Sequence, residues 1–419
     1  MKNLINKFVF FGLTGFMIFA LSCNRKSKNI VKTASGYNLE EIMELPVPLR
    51  NNLFAFDLLK ALPDYQNNLI ISPFSISSAL AMTYAGAAGE TKNEMVRTLY
   101  FDPDQERFHP EYSLFITRLR EMAGDKVQLN IANNLWAQKG YHFRQDFFDL
   151  LELNYGTTIN EVDFYRGNRE QIRLDINQWV YDETREKISD LIVQGVLTQD
   201  TRLVLVNAIH FFGPWMVEFD SQLTRQDYFN NINGDRLLVD FMFRDGKIPY
   251  FANEQMQVLE IPYSGESFSM LILLPNEETS LPEIEKNLTA EDFLLAIDGL
   301  QEKEVEAIIP KFRAETKTDL EDLLAAMGMP LAFSNRADFS GMTGYEDLKI
   351  DKVIHKAMID VAEEGTEAAA ATAVVIVRKT AIMPDQEQKI IFKADRPFLY
   401  VIKDNRYNNI LFMGRQLKF

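Results

Sequence analysis

The amino-acid sequence predicts an α+β fold, with helices packed around β-sheets in one large domain. Apolar residues at helical spacing dominate the first third of the chain, and short β-branched or aromatic runs bounded by turn residues fill much of the rest. From about Val47 onward no Pro/Gly/Ser-rich linker and no internal repeat divides the 419 residues. Apolar residues make up 47% of the chain and include 31 Phe, enough to bury a sizeable core and to exclude a disordered polymer.

Taken in order, the chain opens with Lys2 and Lys7 beside an uncharged apolar run from Phe8 to Leu21, the pattern of a secretory signal. That run is shorter than the roughly 20 residues a membrane-spanning helix needs. It ends Ala20-Leu21-Ser22-Cys23, which resembles the lipobox of bacterial lipoproteins, with Ala20 where Leu is usual. A plain secretory site would also cut before Cys23, so residues 1–22 are read as a signal and Cys23 as the acylated first residue. Cleavage leaves 397 residues with a formal charge of −18. Residues 23–46 start polar and basic (Arg25, Lys26, Lys28, Lys32) and read as a tether to a domain spanning 47–419. The expected setting is therefore an exported outer-membrane lipoprotein held to the membrane through Cys23.

Within the domain, Leu49 to Leu62 carries Leu53, Phe54, Phe56, Leu58 and Leu59 at roughly helical spacing, and Ile76 to Ala85 forms a second apolar helix pattern after Ser72-Pro73. Strand patterns follow at Arg202 to Phe212, Gln257 to Ile261, Phe268 to Leu274, Val305 to Ile309 and Ile410 to Phe412.

Composition excludes several functions. With 44 Lys+Arg against 60 Asp+Glu, the net charge of −16 speaks against a general nucleic-acid surface. One cysteine excludes a disulfide framework and multi-cysteine metal sites. The chain has no G-x-S-x-G elbow, no H-E-x-x-H and no phosphate-binding glycine loop. Its four histidines, His109, His142, His210 and His355, lack metal-ligand spacing. No cofactor, metal or catalytic residue is expected.

One segment has conflicting local preferences. In Glu363-Glu364-Gly365-Thr366-Glu367-Ala368-Ala369-Ala370-Ala371-Thr372, continuing to Val377, the alanines favour helix and the β-branched end favours strand. Read with period two, Thr366, Ala368, Ala370, Thr372, Val374 and Ile376 form an uncharged face, so the segment could enter a sheet. An ordinary buried strand or an alanine helix would fit the same residues.

Blocks in fixed order over nearly the whole chain from about residue 50 resemble the serpin family. They include Asn68 to Met82 around Ser72-Pro73-Phe74-Ser75, Val206-Asn207 through Trp215, Ile309-Pro310-Lys311-Phe312, and Ala337 to Met342. His355-Lys356-Ala357, Arg396-Pro397-Phe398-Leu399 and Phe412-Met413-Gly414 follow in the expected order. The resemblance implies about nine helices around three sheets and an exposed reactive loop that acts as protease bait. In inhibitory members the loop is cleaved, forms an acyl-enzyme and inserts into the main sheet before the protease can deacylate. The uncharged face suits insertion, because a buried unpaired charge would be costly.

Residue by residue, the resemblance implies a hinge from Glu363 to Thr372, and a shutter of Ser72, Ser75, Asn207 and His355. It also implies a breach at Trp215, where the hinge first enters. Fourteen residues on from Gly365, the scissile bond falls between Lys379 and Thr380, which suits trypsin-like serine proteases; papain-like cysteine proteases form a comparable acyl intermediate. Arg378 is a competing site, and cleavage after Val375 or Val377 would serve elastase-like enzymes. The stretch from Thr380 to Lys389 is several residues longer than in familiar serpins. Arg118 and Arg120 are offset by Glu111, Glu121 and Asp125, so heparin is not an expected partner. The protein is expected to be a monomer whose partners are target proteases. The alternative is a non-inhibitory serpin acting as a binding or structural protein.

Overall fold

A computed structural model describes residues 39–62, 65–157, 159–346, 348–366 and 389–419. Cys23 lies outside the described residues, as do Glu367 to Thr372, Val375, Val377, Arg378, Lys379 and Thr380.

The chain begins with α1 (Leu39–Met43), α2 (Val47–Lys60), β1 (Leu69–Ile71), α3 (Pro73–Tyr84), α4 (Gly89–Leu99) and α5 (Gln105–Ala123). It continues through β2 (Gln128–Gln138), α6 (Gln145–Tyr155), β3 (Ile159–Val162), α7 (Arg169–Glu183) and β4 (Leu203–Pro214). Strands then dominate: β5 (Arg225–Asn230), β6 (Arg236–Ala252), β7 (Met256–Pro262) and β8 (Phe268–Pro275) precede α8 (Leu281–Asn287) and α9 (Ala290–Asp298). After β9 (Gln301–Pro310) and β10 (Phe312–Asp319) come α10 (Glu321–Met327), α11 (Ser340–Thr343), β11 (Lys352–Ala362) and β12 (Gly365–Thr366). The chain closes with β13 (Ile390–Lys393), β14 (Phe398–Asp404) and β15 (Ile410–Gln416).

Ile42 of α1 is fully buried in the main core. Packed structure therefore begins before residue 47, the expected start of the domain, because this short helix docks an apolar side chain that a tether would leave in water. The two sequence-derived helices form as α2 and α3. Ser72 caps α3 by accepting from the Ser75 amide at 3.2 Å, with Pro73 in the first turn where its missing N–H costs nothing. Every residue of α3 is buried, as a helix enclosed on all sides must be.

Six strands in the order β10-β11-β12-β4-β2-β3 form the main sheet. β4 reads as a continuous apolar run because both faces are covered. Leu203, Leu205, Ile209 and Phe211 enter the main core, while Val204, Val206 and Ala208 meet Ile172, Ile176 and Val180 of α7 in a second cluster. The spacing of those α7 residues places them on one helical face. The remaining strands run β1-β15-β14-β8-β7-β6-β9-β13, with β5 also on β6. β6 pairs with β9 over Phe241 to Tyr250 and with β7 only over Tyr250 to Ala252, so this set bends through β6 into two sheets. The result is the expected α+β arrangement of three sheets, and nine of the α-helices among the described residues are seven residues or longer.

Candidate functional site

The site is the seam between β4 and β11. These strands pair in parallel, from Lys352 opposite Val204 to Ala357 opposite Ile209. Above that point they part, and β12 lies between them, antiparallel to both: Thr366 pairs with Val361 and Gly213, and Gly365 pairs with Ala362 and Pro214. Two strand spacings of about 4.8 Å each then separate β4 from β11.

The parting is held by backbone and side-chain bonds at its upper rim. The Trp215 indole N–H donates to the Ala362 carbonyl at 2.9 Å, and its backbone N–H donates to Glu364 O at 2.9 Å. Trp215 stacks on Tyr263 with ring centroids 4.6 Å apart, and the Tyr263 hydroxyl shares a 2.7 Å hydrogen bond with Thr366 Oγ1. Thr366 is fully buried. A Cβ at Gly365 would collide with the Gly213 carbonyl and lie 2.6 Å from Pro214 Cα, so this close approach requires glycine.

Just before β12, the buried Glu363 carboxylate accepts from Lys311 Nζ at 2.8 Å and from Thr224 Oγ1 at 2.7 Å. Burial alone would push its pKa up, but those two bonds hold it below the ordinary carboxylate range. Phe219 N–H fixes the Glu363 carbonyl at 3.0 Å.

Beneath the lower seam Ser72, Ser75, Asn207 and His355 join in one hydrogen-bond network. Ser72 N–H donates to His355 Nε2 at 3.1 Å, which leaves Nδ1 protonated and donating to Asn207 Oδ1 at 2.5 Å. Asn207 Nδ2 turns toward Ser75 O (2.9 Å), Ser75 Oγ (2.6 Å) and Asn133 Oδ1 (2.5 Å), while Ser72 Oγ donates to Leu411 O at 2.6 Å. The network ties β4 and β11 to α3. Burial pushes the His355 pKa down to about 3, so the ring is neutral and serves as a hydrogen-bonding link rather than a base.

On the far side of residues 367–388, β13 adds four residues in parallel to β9. Lys389 pairs with Asp245 at 2.8 Å and Glu306 at 3.2 Å, and Lys393 with Asp227 at 2.8 Å and Asp395 at 3.6 Å.

The structure therefore brings together Ser72, Ser75, Asn207 and His355, and separately Trp215 with Glu363, Glu364, Gly365 and Thr366. Asn133, Thr224, Tyr263 and Lys311 also belong to these groups and were not identified from sequence as site residues. The paired Asn133-Asn134 was the available signal for Asn133, in a strand whose other polar residues blur it; Thr224 and Tyr263 had none. Among the described residues no cluster of His, Cys, Asp or Glu could hold a metal ion, and no helix is long and apolar enough to cross a membrane.

Comparison with known proteins matches residues 49–418 to the family model described as Serpin (serine protease inhibitor). The chain is 41% identical to an uncharacterized serpin-like protein of Thermococcus kodakarensis, covering 90% of this chain and 87% of the other. It is 40% identical to a leukocyte elastase inhibitor of Sus scrofa, over 87% and 97% of the two chains. Among solved structures, the thermophilic serpin tengpin in its native state aligns with TM-score 0.80 at 29% identity, over 89% and 94% of the chains. Uncleaved ovalbumin aligns with TM-score 0.79 at 26% identity, over 90% and 100%.

The buried neutral histidines make stability sensitive to acid. Burial holds His355 near pKa 3 and His109 near 4, whereas the unfolded chain protonates each near 6.5. The unfolded state therefore binds more protons, and stability falls as pH drops below about 6.5, by up to about 1.4 kcal/mol per pH unit for each histidine. Burial raises the carboxyls of Asp57, Glu285 and Asp404 and works in the opposite direction, so the test compares variants. His109→Phe will make the urea midpoint fall less between pH 7 and 5 than in the unaltered protein, and an unchanged fall would refute the neutral state of His109.

Proposed function

Because the chain belongs to the serpin family, we propose that it is a covalent inhibitor of serine endopeptidases which traps its target by inserting its own cleaved loop into the seam. The observation that carries this reading is Gly365 and Thr366 seated antiparallel between β4 and β11, directly above a stretch where those two strands pair with each other and no strand lies between them.

Continuing that register downward sets Ala368 opposite Phe211 and Ile359, Ala370 opposite Ile209 and Ala357, and Thr372 opposite Asn207 and His355. Val374 then falls opposite Leu205 and Val353. All share the core-facing side of Thr366. Thr372 would arrive at the His355–Asn207 hydrogen bond, where its hydroxyl can take over a partner as the strands separate. The intervening Ala369, Ala371, Ala373 and Val375 would pass beneath α7, where short side chains leave its packing on the sheet least disturbed. The alanine run thus answers a steric demand from above, and its uncharged alternation answers the core below.

In chemical terms, the protease serine attacks the Lys379 carbonyl, forms an ester to Lys379 and releases the Thr380 amine. The freed strand enters the seam and carries the esterified enzyme about 40 Å, the length of a twelve-residue strand such as β4. Distortion then outruns deacylation by water. Lys379 favours a trypsin-like target; similarity to a leukocyte elastase inhibitor supports the inhibitor class and keeps Val375 and Val377 as secondary sites. In the same reading the protein acts as an exported monomer anchored to the outer membrane through acylated Cys23, and residues 24–38 supply a spacer.

Trypsin mixed with the protein will yield a complex that survives boiling in detergent, and mass spectrometry of the released peptide will begin at Thr380. Complete loop cleavage without such a complex would defeat the inhibitor reading. Ala370→Arg will convert the protein into a substrate, because the continued register turns this side chain to the core-facing side opposite Ile209 and Ala357; undiminished trapping by the variant would remove the insertion mechanism. Cys23→Ser will move the protein from the detergent phase to the aqueous phase on partitioning, whereas unchanged partitioning would exclude the lipid anchor.

A further inference from the structure

At the foot of the seam a carboxylate bridges the two strands. Asp351, immediately before β11, accepts through Oδ2 from the backbone N–H of Arg202 at 2.6 Å and of Leu203 at 3.2 Å, and its own N–H donates to Leu203 O at 3.1 Å. One residue therefore makes three contacts to the start of β4. Charge-assisted bonds to backbone N–H groups are stronger than the neutral ladder bonds above them. Lys349 Nζ lies 3.7 Å from the other carboxylate oxygen, and Arg202 turns its guanidinium away to the carbonyls of Gln199 and Thr201. Beside the carboxylate a cleft of about 370 Å³, lined by Tyr141, Asp200, Ser334, Asn335 and Lys349, gives the side chain room to swing out.

The seam register gives this bridge a position on the loop. Carried down from Thr366, residue 376 is the one that falls opposite both Leu203 and Asp351. An inserted strand ending at Val375 would stop opposite Val204 and Lys352 and leave the bridge closed. A strand continuing to Arg378 or Lys379 must break it. We propose that Asp351 is a positioning residue for the last step of loop insertion: a staple that opens only for the longer acyl arm produced by cleavage at the basic residues, and that slows completion of trapping there.

The inference rests on the inhibitor reading, but its test has an arm that does not. Asp351→Asn keeps the shape of the side chain and removes its charge. In the uncleaved protein it will lower the thermal midpoint; in protein cut at Lys379 it will leave the midpoint unchanged, because the staple is already open. With trypsin, the number of inhibitor molecules consumed per enzyme trapped will fall by about two-fold or more, because the final opening is easier. Equal destabilisation of uncleaved and cleaved protein, or an unchanged consumption ratio beside a lowered uncleaved midpoint, would overturn the proposal and leave Asp351 an ordinary strand-end residue. If Asp351→Asn fails to fold, Asp351→Ser, too short to span both amides, is read in the same two measurements. If the unaltered protein is cut without trapping trypsin, the inhibitor reading falls, while the comparison of cleaved and uncleaved midpoints still decides the staple.

Discussion

The structure is organised around a sheet that is one strand short over half its height. β4 and β11 point the same way and share a parallel ladder of only six residue pairs, while β12 above them shows that the same two edges accept an antiparallel strand between them. Antiparallel pairing is slightly the more stable per residue, so the short parallel ladder is the weaker of two arrangements available to the same strands. Much else follows from keeping that weaker arrangement in place and separable. A seam filled by interlocking large apolar side chains would resist parting, because close-packed interiors do not deform smoothly. Here the apolar layer beneath the seam, with Leu205, Ile209, Val353 and Ala357, is interrupted at its middle by Asn207 and His355, which hydrogen-bond to Ser72 and Ser75. Hydrogen bonds of this kind are satisfied within the buried layer, so no large interlocking side chain closes the seam at that level.

The two ends of the seam are held by different means. At the top, Glu363, Trp215 and Tyr263 hold β12 and the residues before it through one partly buried ion pair, hydrogen bonds and an aromatic stack. At the foot, Asp351 ties two backbones directly. Between them α7 covers the outer face through Ile172, Ile176 and Val180, so any added strand has to be thin on that side. Two of these constraints meet in β12: glycine where the backbone passes Gly213, and threonine where Tyr263 offers a hydroxyl.

Much of this was legible in the sequence, for identifiable reasons. The apolar runs that became α2, α3, β4, β7 and β8 are buried on one or both faces, so their composition declares them. Of the uncharged alternation that starts at Thr366, the described part is Thr366 itself, which is buried as that pattern expects. β2 and β10 were not marked. The polar residues of β2 include Asn133, which accepts from Asn207, and β10 is an edge strand whose exposed positions carry Arg313, Glu315, Lys317 and Asp319, so neither offers an apolar pattern. β6 was hidden by Gly246 and Pro249 inside its seventeen residues, which signal a break where the strand in fact passes from one sheet to the next. Glu363 looked like one more acid among many. Its significance depends on Lys311, 52 positions away in the chain, and that proximity is created only when the sheets assemble.

The four-residue strand β13 gives the described ends of the loop an asymmetry. The hinge end is fastened by burial: Thr366 is out of contact with water, and its hydrogen-bond partner Tyr263 is equally enclosed. The other end is held by the four-residue ladder of β13 on β9 and by the fully buried Phe392, with Lys389 and Lys393 adding ion pairs to carboxylates that water reaches. Dissolved salt screens exposed charges over roughly 8 Å at physiological strength and leaves buried contacts nearly untouched. Ionic strength therefore reaches the ion pairs that reinforce the end following the loop and leaves the Thr366–Tyr263 contact, at the end preceding it, as it is.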